Sequence, residues 1–276
     1  MAEDDTTPKG TVVLVHGLWL TSRSWEHWVD RYTRAGYRVL TPEWPAMEAG
    51  VEALREDPSV LDGLGVVEVA DHYAEFLRTL DAKPILIGHS FGGLVVQILL
   101  DRGLGSAGVG LHPAPPKGVL RLPVSALRAA FPVLHNPANR RKTVGLTPVQ
   151  WHFAFTNTLD DHESRVAYDR YHVPAPGRPL FQAATANLVP GGATRVNYRN
   201  ADRAPLLLVG GSADNTAPTS MVRENFTRYR KSPAVTEFRE YPGRSHFTAG
   251  SPGWEQVADD VLSWAARRQV AGSPRR

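Results

Sequence analysis

Short, dense apolar runs alternate along most of the chain with longer stretches in which apolar residues recur every three or four positions. Thr11-Val12-Val13-Leu14-Val15 has no polar interruption and reads as a strand buried on both faces. Between Thr21 and Gly36, Trp25, Trp28, Val29 and Tyr32 fall at helical spacing, and Gly36 stands where a C-terminal cap belongs. Arg38 to Pro42 reads as a second short strand. Residues 45–65 carry no clear period and read as a loop, whereas Val66 to Leu80 returns to helical spacing. Ile85-Leu86-Ile87 is the next strand; it breaks at Gly88-His89-Ser90-Phe91-Gly92 and continues as an apolar helix through Leu94–Leu100. Gly108 to His112 is a shorter fourth strand.

The pattern changes from Pro113 to Asn200. Prolines are frequent, no run is convincing as a strand, and helices are predicted over Leu122–Leu134, Thr147–Asn157, Asp160–His172 and Pro179–Leu188. The alternation then resumes with a strand at Ala204–Gly211, a helix at Pro218–Tyr229, a period-two strand at Val235–Tyr241 and an amphipathic helix at Gly253–Arg268. Val270–Arg276 reads as a frayed end. Strands separated by helices imply right-handed crossovers and a mostly parallel sheet. The expectation is an α/β fold: a central sheet of about six strands flanked by helices, built from residues 1–112 and 201–276, with an all-helical insertion at 113–200. In such sheets the working groups gather beyond the carboxyl ends of the strands.

Ser90 stands at such an end, between a strand and a helix, with glycine two residues before and two after. That arrangement is a nucleophile elbow: a strained turn pushes the serine Oγ out over the sheet, and the helix begins with free N–H groups. The five-residue pattern alone is weak and gains meaning from its flanking elements. A serine hydroxyl needs a base, and the base needs a third group to orient it. Downstream of His172 the single histidine is His246, just past the last strand. Arg102 through Leu159 contain no Asp or Glu, so the turn after the fourth strand cannot supply the acid; the turn after the next strand supplies Asp214. The plain alternatives are an Asx-turn role for Asp214 and an ordinary turn histidine at His246. The backbone N–H of Phe91 and of Leu18, in the loop after the first strand, are the expected oxyanion donors. Trp19, His16 and His89 flank these positions and are the candidates for the pocket wall, with His16 bracing its loop and His89 structural.

Composition narrows the classes. The 276 residues include no cysteine, which excludes disulfides, thiolate metal sites and a cysteine nucleophile. No apolar run approaches the roughly 20 residues of a membrane span, and the acidic, polar residues 1–10 do not read as a secretory signal, so a cytoplasmic location is expected. A net charge of +3 is too small to argue for nucleic acid. The charge is uneven, however: residues 114–200 hold 11 Lys/Arg against 4 acids. That balance suggests either a solvated basic surface or attraction for an anionic substrate. No phosphate-cradling loop or ligand-spaced histidine set suggests a metal, nucleotide or other cofactor.

With these residues assembled, the chain resembles the α/β-hydrolase fold superfamily over essentially its whole length outside 113–200. His16-Gly17-Leu18-Trp19 with Trp25, Gly88 to Gly93, Gly211 to Pro218 and Gly243 to Phe247 resemble that superfamily's oxyanion loop, elbow, acid turn and histidine turn. The order Ser90, Asp214, His246 is the superfamily's order. The layout is most similar to the small bacterial esterase, perhydrolase and C–C-bond hydrolase branch. The resemblance implies that 113–200 is a cap over the substrate cavity, its aromatic residues either lining a pocket or forming the cap's own core. One departure is the short segment before the first strand, which leaves little or nothing of the antiparallel strands that usually open the fold. The implied function is serine-dependent hydrolysis of a small carboxylic ester, apolar or anionic. C–C hydrolysis or perhydrolysis on the same triad, and a ligand-binding protein with little turnover, remain open, because one fold hosts many chemistries.

Overall fold

The computed structural model describes residues 8–271; the polar opening segment and the last five residues of the expected frayed end lie outside the described residues. Among the described residues there are eight strands: β1 (Thr11–Val15), β2 (Arg38–Leu40), β3 (Ile85–His89), β4 (Ala107–Leu111), β5 (Thr143–Val144), β6 (Ala175–Pro176), β7 (Leu206–Gly211) and β8 (Thr236–Tyr241). Six of them form one sheet in the order β2-β1-β3-β4-β7-β8, and every pairing in it is parallel. The order reverses at β1 and β3, so their carboxyl ends face a crevice where crossovers depart in opposite directions.

Strand alternation separates two apolar layers. Val12 and Leu14 pack with Trp25, Trp28 and Tyr32, around α1 (Glu26–Arg34), and with Val257, Val261 and Trp264 of α10 (Trp254–Ala271). Val13 and Val15 face the other way, into the layer that holds α3 (Val66–Arg78), α4 (Phe91–Asp101) and α9 (Thr219–Arg228). Every residue of β1 after Thr11, and all of β3, β4 and β7, is buried, which is why these strands read as unbroken apolar runs.

Residues 45–65 are not a plain loop. They contain α2 (Gly50–Glu56) and a 3₁₀ turn at Pro58–Leu61. These elements are too short to establish a period, and only Val51, Leu54 and Leu61 turn inward. Between β4 and β7 the chain leaves the sheet and forms α5 (Val124–Leu134), α6 (Pro148–Ala154), α7 (Asp161–Tyr171) and α8 (Arg178–Ala184). This insertion is helical except for one antiparallel ladder, β5 with β6, whose two-residue strands carry no readable alternation. Thr147 and Asp160 begin α6 and α7 with capping boxes, closed by Gln150 and Glu163. Among the described residues no helix is long and apolar enough to cross a membrane.

Candidate active site

The adjacent strands β3, β4, β7 and β8 deliver Ser90, His112, Asp214 and His246 to one rim of the sheet. Ser90 is the first residue past β3 and holds φ at 55°, a left-handed conformation that a side chain tolerates only under constraint. Its N–H donates to Leu111 O at 2.9 Å, while its carbonyl accepts from Gly93, Leu94 and Ala114. The glycines around it are required by close backbone approach. A β-carbon at Gly88 would lie 2.2 Å from Gly92 O, and one at Gly92 would lie 2.2 Å from Val15 O. Gly17 is held equally tightly, against Ser90 Cβ at 2.7 Å.

Asp214 is buried and surrounded by donors. Oδ1 accepts the N–H groups of Thr216 (2.7 Å) and Ala217 (2.8 Å). Oδ2 accepts from two imidazoles, His246 Nδ1 and His112 Nδ1, each at 2.8 Å. Burial alone would push this carboxyl up; attraction to His246 and the bonds from both rings outweigh it and hold Asp214 well below the usual carboxylate range. An ionised carboxylate only accepts, so both rings present Nδ1–H to it. The separations are those of N–H···O bonds. Two ligand atoms on a tetrahedral ion would stand roughly 3.3 Å apart, given bonds of about 2 Å.

His246 Nε2, the ring's other nitrogen, has no hydrogen-bond partner among the described residues. The Ser90 hydroxyl is therefore not bonded to it in this conformation, and such bonds often tighten only around substrate. The His246 ring packs edge-on to Phe155, 5.0 Å between centroids, and 4.7 Å from the ring of His89. His89 Nε2–H donates to His246 O at 2.7 Å, fixing the histidine loop. Burial, reinforced by the neighbouring imidazoles, pushes His89 well below the usual histidine range. Neither Leu18 N–H nor Phe91 N–H is engaged in a hydrogen bond among the described residues, which leaves both free to act as donors.

Beside Ser90 opens a cavity of about 310 Å³. Trp19, Phe91, Thr216 and Met221 wall its floor, and Ala126, Ala130, Leu180 and Ala183 of α5 and α8 supply the opposite wall. Of the three residues expected at the pocket, Trp19 lies in the wall; His16 and His89 do not, because their rings are held elsewhere. His16 Nε2 stands 3.1 Å from Glu43 Oε2, and its ring stacks on Trp44. Glu43 in turn accepts from Ser22 N and Oγ. Burial pushes Glu43 up, but the bonds from His16 and Ser22 leave it lowered overall. The aromatic residues of the insertion do not line the cavity either. Trp151, Phe155 and Tyr171 belong to the core, with Trp151 stacked on Phe155 at 4.2 Å, and Phe131 points to solvent. None of the insertion's basic residues lines the cavity, and Arg170 and Arg178 pair with Glu26 and Glu68 on the other side of the insertion's seam.

Three residues of this site were not singled out from sequence. Glu43 lies in a stretch without period. Phe155 looks like any cap aromatic. His112 is readable only as a strand end, since a histidine one residue before a proline advertises no role. The end of α6 is also stitched to the two loops that carry Asp214 and His246: Asn157 donates to Ala213 O, Asn215 to Phe153 O, Thr216 Oγ1 to Ala154 O, and Phe247 N to Phe155 O.

Comparison with known proteins agrees with this architecture. Residues 12–260 match the model of the alpha/beta hydrolase family, and the chain belongs to that family. A carbendazim hydrolyzing esterase from Nocardioides sp. (strain SG-4G) is 30% identical over 94 residues, a match spanning 33% of this chain and 35% of that protein. Among solved structures, a monoacylglycerol lipase from Paleococcus ferrophilus superposes with a TM-score of 0.64 at 21% identity, covering 95% of this chain and 96% of its own. An extracellular alpha/beta-hydrolase from a Paenibacillus species superposes with a TM-score of 0.67 at 19% identity, covering 92% and 98%. At these identities the structural likeness speaks for the fold.

Proposed function

We propose that this protein is a serine hydrolase of neutral carboxylic esters with an apolar acyl or alcohol group. The observation that carries the reading is the bond between His246 Nδ1 and Asp214 Oδ2, made at a strand end near a serine held at φ 55°. In this reading Ser90 Oγ attacks the ester carbonyl as its proton passes to His246 Nε2. Asp214 fixes the ring's tautomer and stabilises the imidazolium. The N–H groups of Leu18 and Phe91 receive the oxyanion, and the alcohol leaves with the proton that His246 held. Water, activated by the same nitrogen, then hydrolyses the acyl-enzyme.

Residues 113–200 act as the cap in this reading, and the cavity beneath them suggests the substrate. Its wall holds no charged side chain, so burying a carboxylate there would carry an uncompensated desolvation cost. Its open side is bordered by Leu122 and Leu127, about half exposed. These features favour a neutral, apolar substrate over an anionic one. An esterase and a lipase among the similar proteins are consistent with ester chemistry.

A fluorophosphonate probe and a p-nitrophenyl ester panel test the proposal. Rapid stoichiometric labelling of wild type, with labelling and turnover both abolished in Ser90→Ala, is the expected result. Turnover unchanged in Ser90→Ala would refute the nucleophile, and labelling without ester turnover would favour the low-turnover binding protein. A carboxylated ester hydrolysed as well as its neutral counterpart would refute the substrate class.

A further inference from the structure

The hydrolytic cycle above makes no use of His112, yet the fold is shaped around it. The residue is the first past β4 and lies in the left-handed region, with φ at 47° and Pro113 following. Side chains seldom take that conformation, though histidine does so more readily than most, and a residue preceding proline is steered away from it. Its side chain is fully buried. Its Nδ1 lies 2.8 Å from the same Asp214 oxygen that His246 contacts, and its Nε2 has no partner. Across the ladder, Gly211 leaves space for both the β8 turn and the ring: a β-carbon there would clash with Arg244 O and come within 2.6 Å of His112 Cε1. A costly backbone conformation and a cleared neighbouring strand thus serve a ring whose one hydrogen bond goes to the acid.

We propose that His112 is a positioning residue of this site: its Nδ1–H fixes the rotation of the Asp214 carboxylate and shares Oδ2 with His246. This rests on the reading of Asp214 and His246 as acid and base. The base then works against a carboxylate whose charge is divided between two donors. Its hold on the imidazolium is correspondingly weaker. The groups facing His112 are Asp214 from the β7 turn, His246 and Arg244 from the β8 turn, and His89 from β3. Burial pushes the His112 imidazole down, and the bond to Asp214 only partly offsets this. The ring therefore stays neutral while His246 accepts and returns the Ser90 proton.

Kinetics of wild type, His112→Leu and His112→Asn on one p-nitrophenyl ester, across pH, provide the test. Leucine fills similar space without a donor. Asparagine tolerates positive φ and places Nδ2 near the position of Nδ1. The leucine variant is expected to lose roughly 10- to 100-fold in kcat, the scale of one hydrogen bond to a charged group. Its KM should hardly change, and the acidic limb of its kcat/KM profile should move to higher pH. The asparagine variant should recover most of kcat and return the limb toward that of wild type. A folded leucine variant with wild-type kcat and acidic limb overturns the proposal, as does an asparagine variant as impaired as the leucine one. Should the leucine variant not fold, ¹⁵N-histidine NMR of the wild-type protein decides. His112, assigned through its own backbone, must be neutral with Nδ1 protonated throughout the active range; an Nε2–H tautomer or a doubly protonated ring overturns the proposal. Ser90→Ala run alongside separates the two readings: retained activity there strikes the triad itself, whereas its loss beside an indifferent His112→Leu strikes His112 alone.

Discussion

Gly92 has no room for even one more carbon. Its position, 2.2 Å from Val15 O for an added Cβ, reflects α4 starting directly above the carboxyl end of β1. Gly92→Ala must therefore displace backbone, not the tip of a flexible side chain. We expect a loss of stability above about 3 kcal/mol or failure to fold, measured by chemical denaturation; a folded, active Gly92→Ala protein would show that α4 can shift away from β1. His172 offers a titrating counterpart. Its Nε2 accepts from Leu146 N at 3.0 Å and its ring stacks on Tyr168. Burial, aided by the nearby Arg55, lowers its imidazole to about 4. A histidine lowered in the fold takes up its proton more readily when unfolded. The associated stability is therefore fully present above about pH 6.5 and is lost progressively as pH falls toward 4, by at most about 3 kcal/mol. His112 and His89 are lowered in the same direction, so His172→Asn should reduce the slope of Tm against pH in that window without abolishing it. An unchanged slope would assign the whole effect to the other groups.

Helices α5 and α8 owe their importance to small residues. Ala126, Ala130 and Ala183 face the cavity, and their missing side-chain volume is the space in which, under the proposed function, an acyl chain would lie. The outer side of α5 presents Val124 and Phe131 to solvent, so the helix is apolar nearly all round and shows no clean polar stripe. Enlarging one wall position, as in Ala130→Phe, should raise KM for a p-nitrophenyl ester of medium chain length by roughly tenfold or more. Hydrolysis of the acetate should change little, since a few methylenes in an apolar pocket are worth about 1–3 kcal/mol. Equal losses on long and short esters would place the acyl group elsewhere. Helix α6 behaves differently: its carboxyl end is tied to the acid and histidine loops by four hydrogen bonds, so this part of the insertion moves with the site and does not swing over it.

The molecule is a three-layer sandwich whose sheet order sets the chemistry. Because β3, β4, β7 and β8 are consecutive neighbours, residues more than 150 positions apart in the chain meet within hydrogen-bond reach of one another, His89 Nε2 and His246 O among them. The insertion leaves from β4 and returns to β7, adjacent strands, so it is added without altering the sheet. Its basic excess is spent on the outside, where Arg170 and Arg178 bind Glu26 and Glu68 across the seam. Raising ionic strength should accordingly leave kcat/KM for a neutral ester nearly unchanged; a steep fall would indicate that the positive field does act on substrate.

Runs such as Thr11–Val15 and Leu206–Gly211 were legible as buried strands because a strand covered on both faces needs no polar residue anywhere. The break at Gly88–Gly92, the single late histidine His246 and the acid-free stretch before Asp214 were legible because candidates were so few. Periodicity failed where elements were shorter than a period, as in α2 and the β5–β6 ladder, and it could not say whether Trp151 and Phe155 faced a cavity or a core. The amino-acid sequence by itself determined the alternating strands and helices, the glycine-flanked turn at Ser90 and the few candidates for a serine, acid and histidine set, since each depends on local residue type and spacing. The second imidazole on Asp214, the bracing of His16 by Glu43 and the alanine-lined cavity were decided only by tertiary structure, because each requires side chains from separate elements of the chain to arrive at one place with one orientation.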